Sequence, residues 1–211
     1  MAHQYFILNK PYNMVSQFKS SHVVRLLGDL NYPFPEGTHA IGRLDHHSEG
    51  LLILTTNKSI TRLLFQGPKP HTRVYHVLVN NLVSPAQIAA LSNGVKFKIG
   101  EQAFHTTSPC KVTIVDPPLV QFLGAYILSE RVPHTWLSIG LTEGKYHQVR
   151  KMLTAVGLKC KRLVRVSIED LHLGDLPPGG VASISEAQFF EALRLGYPIS
   201  AHHLPHDPTI S

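Results

Sequence analysis

Residues Gly42-Arg43-Leu44-Asp45-His46-His47-Ser48-Glu49-Gly50 place a carboxylate, Asp45, in a polar loop between two glycines, and the apolar run Leu51-Leu52-Ile53-Leu54 follows at once. An uninterrupted apolar run of that length predicts a strand buried on both faces. Asp45 is therefore expected at the mouth of a buried strand, with Arg43 two residues before it. An acid held over a core is suited to chemistry, as a nucleophile or a base. A turn aspartate that accepts hydrogen bonds from nearby amides is the plainer alternative. Glu49 is the nearest second acid. Two carboxylates in fixed geometry would serve a hydrolytic glycosidase, but Glu49 is expected to face solvent or to pair locally.

Three further segments carry functional side chains. Arg73-Val74-Tyr75-His76-Val77 alternates in polarity and predicts a strand on which Tyr75 offers an aromatic face and a hydroxyl. In Glu143-Gly144-Lys145-Tyr146-His147-Gln148-Val149-Arg150-Lys151-Met152 a loop runs into an amphipathic helix over 147–156. Val149, Met152, Leu153 and Val156 recur at helical spacing, with His147, Arg150, Lys151 and Thr154 opposite. Lys161-Arg162-Leu163-Val164-Arg165 is basic at both ends. From Lys145 to Arg165 there are seven Lys or Arg and no acid, within a chain of net charge +6. That distribution favours a polyanionic partner, although a solvated basic face would look similar.

The elements that must position these residues follow from period and punctuation. Short strands are expected at Tyr5–Leu8 and Thr38–Leu44, longer ones at Arg73–Val79, Thr135–Thr142 and Leu163–Leu173, and strands split by Gly100 over 95–115. Helices are expected over 22–30, over 58–66 behind an Asn57 cap, from the Ser84-Pro85 cap to Leu91, and from Ser185 to Leu195. Residues 116–134 read as a long loop or irregular hairpin, and 196–211 as a mobile tail. Strands outnumber helices without alternating with them, which argues for an α+β fold.

Together these segments resemble the RNA pseudouridine synthases, in the branch that modifies ribosomal RNA. Gly42-Arg43-Leu44-Asp45 resembles the signature whose Asp is catalytic, so Asp45 takes that role. The Tyr75 strand resembles the motif whose Tyr lies against the target base. The loop and helix from Glu143 resemble the motif whose Arg, here Arg150, pairs with the catalytic Asp. Leu163 matches a Leu that packs near the base. The family often has Asn-Arg where this chain has Tyr146-His147. Asn9-Lys10-Pro11-Tyr12-Asn13 also resembles the family's start.

The resemblance implies isomerisation of a uridine of 23S ribosomal RNA to pseudouridine, with no cofactor. Its expected fold is a mixed, mainly antiparallel sheet flanked by helices, in two lobes around a cleft. Asp45 would attack ribose C1′ or remove a ribose proton. Arg43, His46, Lys145, Lys151, Lys161, Arg162 and Arg165 are the candidate RNA contacts. Residues 1–195 are expected to form the catalytic domain, without the N-terminal S4-type domain of many relatives, and to act as a monomer. A non-catalytic RNA-binding module is the rival reading; it needs the basic segment but not Asp45.

Other classes find little support. Cys110 and Cys160 lie far apart without metal or disulfide spacing. The adjacent pairs His46-His47 and His202-His203 are not helical i, i+4 pairs, so no metal site is expected. The apolar part of the N-terminus is too short for a signal segment or a membrane span, which makes the cytoplasm the expected compartment.

Overall fold

The computed structural model describes residues 2–65, 67, 69–100, 103–116 and 132–196. In chain order the strands are β1 (Tyr5–Lys10), β2 (His39–Ile41), β3 (Glu49–Thr55), β4 (Arg73–Asn80), β5 (Lys96–Ile99), β6 (Ala103–Thr106), β7 (Lys111–Val115), β8 (His134–Leu141), β9 (Cys160–Ile168), β10 (Leu171–His172) and β11 (Val181–Ile184). The helices are α1 (Ile60–Phe65), α2 (Pro85–Asn93), α3 (Gln148–Ala155) and α4 (Glu186–Ala192). The expected α+β class holds. One sheet runs β11-β1-β3-β9-β4-β8-β7, with β2 on β3 and β10 on β9, and β5–β6 form a separate hairpin.

The apolar run after Gly50 does what its pattern predicts. All seven residues of β3 are buried. Alternate side chains point to opposite faces of a strand. Leu51 and Ile53 pack with Tyr5, Phe189 and Phe190 under α4. Leu52 and Leu54 pack on the other side with Phe6, Leu8, Met14 and Leu27. A third core gathers Val77, Leu137, Ile139 and Leu163 of β4, β8 and β9 with Leu91 of α2 and Val149, Met152 and Leu153 of α3.

These cores divide the sheet into two halves, and β3 and β9 join them. That contact is the one parallel pairing among the described strands and spans two residue pairs, Glu49 with Val164 and Gly50 with Arg165. Gly50 adopts φ +96°, and a Cβ there would collide with the Arg165 backbone. Only glycine lets the two halves close at this point.

Several boundaries moved. No helix forms over 22–30; a single 3-10 turn, Leu27–Asp29, remains. The preceding chain is extended because it pairs with 14–17: Val15 N donates to Arg25 O, and Leu27 N to Gln17 O. Gly42, at φ +70°, ends β2 early. β11 was not expected; it pairs with β1 as an edge. Most of the 116–134 loop and nearly all of the tail lie outside the described residues.

Candidate active site

A cavity of about 450 Å³ opens where β3 meets β9, and its walls include Arg43, Asp45, Ser48, Tyr75, Leu163 and Arg165. Local interactions hold the Asp45 loop over it. Gly42 sits against the Phe65 ring, where a Cβ would come within 2.9 Å of Cζ. Leu44 N donates to Ser16 Oγ at 3.0 Å, and Ser48 N donates to Asp45 O at 2.9 Å. From beneath, the fully buried Lys10 ammonium donates to Pro11 O (3.0 Å), Met14 O (2.6 Å) and His46 O (3.4 Å). Burial pushes Lys10 down to about 8, against the attraction of Glu49 and Asp45.

The helix side meets Asp45 through a residue other than the one expected. His147 Nε2 lies 3.7 Å from Asp45 Oδ2. Its ring is stacked on Tyr146 at 3.9 Å and 17°, and its backbone is left-handed, φ 55°, just before α3. The expected ion pair between Arg150 and Asp45 is not formed. Arg150 lies three residues further along, and its Nη2 instead donates to His47 O at 3.0 Å. It braces the Asp45 loop through the backbone.

Glu143 organises the entry to α3. Its Oε2 is 2.8 Å from His105 Nε2, and its Oε1 accepts from Ser108 N and Gln148 Nε2. Gln148 Oε1 in turn accepts from Lys145 N at 2.8 Å. The hairpin β5–β6 is thereby tied to the loop that forms one wall of the cavity.

Three further expectations are corrected. Glu49 neither faces solvent nor pairs locally: it is 3% exposed and takes a bidentate grip from Arg162, Nε to Oε1 at 2.9 Å and Nη2 to Oε2 at 2.7 Å. Arg162 is therefore a buried structural cation, not a phosphate contact. Arg165 is also buried, 3% exposed, and lies in the cavity wall opposite Tyr75 in the β4–β9 pairing. Its Nε donates to Leu51 O at 2.8 Å. Burial pushes the Arg165 guanidinium down from its usual range, while contact with the Tyr75 side chain works the other way.

Of the other sequence candidates, Arg43 and Lys145 are exposed at the cavity rim. Lys151 lies over the rings of Tyr146 (5.5 Å) and Phe97 (5.8 Å). His46 packs on His47, which stacks on Tyr12. Neither residue lines the cavity, nor does Lys161. Sequence reasoning missed Lys10, Ser48 and His147 as parts of this site. Ser48 was signalled only by its place in the Asp45 loop, and nothing local marks Lys10 as buried. Among the described residues no helix is long and apolar enough to cross a membrane.

Residues 4–155 match the family model described as RNA pseudouridylate synthase. The chain is 36% identical over 174 residues to ribosomal large subunit pseudouridine synthase E of Vibrio parahaemolyticus, covering 82% of this chain and 70% of that protein. It is 37% identical over 182 residues to the protein of the same name from Xanthomonas axonopodis pv. citri, covering 82% and 89%. A crystal structure of a pseudouridylate synthase superposes with a TM-score of 0.72 at 26% identity, over 91% of this chain and 74% of the other.

Proposed function

Because this chain belongs to the RNA pseudouridylate synthase family, we propose that it isomerises one uridine of 23S ribosomal RNA to pseudouridine, in the cytoplasm, with Asp45 as the catalytic residue. The observation that carries this reading is the placement of Asp45. It stands on a braced loop at a cavity that also presents Tyr75 and Leu163, the side chains expected beside a target base.

The chemistry follows from that arrangement. The bond between uracil N1 and ribose C1′ breaks, the base turns, and C5 joins C1′. Asp45 acts at the sugar, as nucleophile at C1′ or as a base toward a ribose proton. Tyr75 and Leu163 pack against the ring. A stacked uridine cannot present C1′ to a carboxylate in a cavity, so the nucleotide is extruded, at a cost of about a few kcal/mol. Phosphate contacts by Arg43 and Lys145 at the rim offset that cost, with Lys151 and Lys161 beyond it. Each phosphate neutralised steepens the salt dependence of binding by nearly one log unit per log of salt, about 0.7 to 0.9.

Asp45→Asn tests the assignment. Pseudouridine formation in 23S transcripts should disappear while RNA binding stays within about threefold of wild type, since the lost charge is not a phosphate contact. A variant that still converts uridine would remove Asp45 from the mechanism, and release of free uracil would point to a glycosidase. Wild type that binds RNA but leaves every uridine unchanged would favour a binding module.

A further inference from the structure

Buried polar atoms in folded proteins nearly always have a hydrogen-bond partner, so those without one call for an explanation. Among the described residues five buried side-chain atoms have none, and two of these, Arg165 Nη2 and Ser48 Oγ, belong to residues of the cavity that holds Asp45. Arg165 is 3% exposed and Ser48 1%.

We propose that Arg165 and Ser48 hold the carbonyl edge of the extruded uracil, and that Arg165 takes up the negative charge the ring acquires as it leaves the sugar. This rests on the functional reading above and extends it to the base. Arg165 is fixed on one side, where its Nε donates to Leu51 O at 2.8 Å. The Tyr75 side chain also meets its guanidinium, but among the described residues no carboxylate forms an ion pair with it; the nearby strand's acid, Glu49, is held by both arms of Arg162. The charge of Arg165 is thus left for the cavity. Tyr75 stands opposite it across the β4–β9 pairing, and Leu163 is on the same face of β9. A flat ring packed by those two side chains would turn its edge toward the guanidinium.

The electron balance gives that cation its work. Whether Asp45 attacks C1′ or removes a ribose proton, the electron pair of the C1′–N1 bond departs with the ring. The resulting uracil anion spreads its charge from N1 onto the carbonyl oxygens. A preorganised donor at one of those oxygens stabilises it in a cavity shielded from water. After the ring turns, C5 bonds to C1′ while the Asp45–C1′ bond breaks, or, on the other route, while Asp45 returns the proton to the ribose; C5 then loses its proton and N1 gains one. No atom is lost and no electron enters or leaves.

RNA carrying 2-thiouridine or 4-thiouridine at the target provides the test, because sulfur accepts a hydrogen bond more weakly than oxygen. With wild-type protein one of the two substitutions should slow turnover about tenfold, and the affected position identifies the oxygen held. Arg165→Met should lower kcat about 100-fold with little change in RNA affinity, and the sulfur effect should vanish in it. Ser48→Ala removes a hydroxyl that lacks a partner, so its Tm should be equal to or above that of wild type while turnover falls about tenfold. Wild type indifferent to both sulfur substitutions would overturn the inference, even if Arg165→Met fails to fold. So would sulfur and Arg165→Met penalties that simply multiply, or full turnover by Ser48→Ala. Those results would leave the functional reading standing; wild type that converts no uridine would remove both.

Discussion

Arg162 and Arg165 stand three residues apart on β9, both buried, in contrasting surroundings. Arg162 is closed off by Glu49, a carboxylate 113 residues away in sequence that takes two of its N–H groups. Arg165 keeps Nη2 without a partner beside the cavity. A complete pair of buried charges is a structural device. An incomplete one, in a cavity wall next to a candidate catalytic acid, fits the ligand contact proposed above. The contrast shows that burial alone does not tell an architectural cation from a functional one; what matters is whether its donors are already used.

The largest effect should come from breaking the closed pair. Arg162→Met leaves Glu49 buried without its bidentate partner, which costs about 3–5 kcal/mol. The unfolding midpoint in urea should drop accordingly, and adding Glu49→Leu should recover much of the loss. A stable Arg162→Met protein with impaired turnover would erase the distinction between the two arginines.

Lys10 is a third buried cation in the same region, satisfied by backbone carbonyls in place of a carboxylate, and it sharpens the comparison through pH. Folding lowers its pKa from 10.5 to about 8. The unfolded chain therefore holds this proton more tightly, and unfolding takes up a proton between those two values. Stability from this group rises across that window, by roughly 3 kcal/mol in full, and is lost again as the pH falls through the folded value. Urea midpoints for wild type should climb relative to Lys10→Met from about pH 8 upward. Parallel curves for the two proteins would mean that Lys10 is not desolvated.

The smallest effect belongs to Arg150. Its bond to His47 O is exposed, so Arg150→Ala should cost no more than about 1 kcal/mol in urea unfolding. A loss as large as that of Arg162→Met would show that Arg150 meets a carboxylate in solution after all.

Much of the frame was legible in the chain. The apolar run after Gly50 predicts a strand buried on both faces because neighbouring side chains of a strand point opposite ways. Ser84-Pro85 and Ser185 predict helix starts because a hydroxyl there can accept an orphan amide, and both do so, from Gln87 N and Gln188 N. The expected helix over 22–30 failed because its residues found a partner in 14–17, and pairing outweighed local preference. The roles of the cations were less legible. Arg150, Arg162 and Arg165 look alike as letters in a basic segment, and all three were expected to reach outward to RNA or to Asp45.

Spacing and residue type by themselves placed most of the strands and helices, and set Asp45 at the mouth of a buried strand, because periodicity and turn chemistry act over a few residues. Tertiary structure alone decided which charge meets which. Two residue pairs between β3 and β9, permitted by the bare backbone of Gly50, bring Glu49 to Arg162 and leave Arg165 at the cavity. Such pairings depend on the register of segments more than a hundred residues apart, and no local pattern encodes that register.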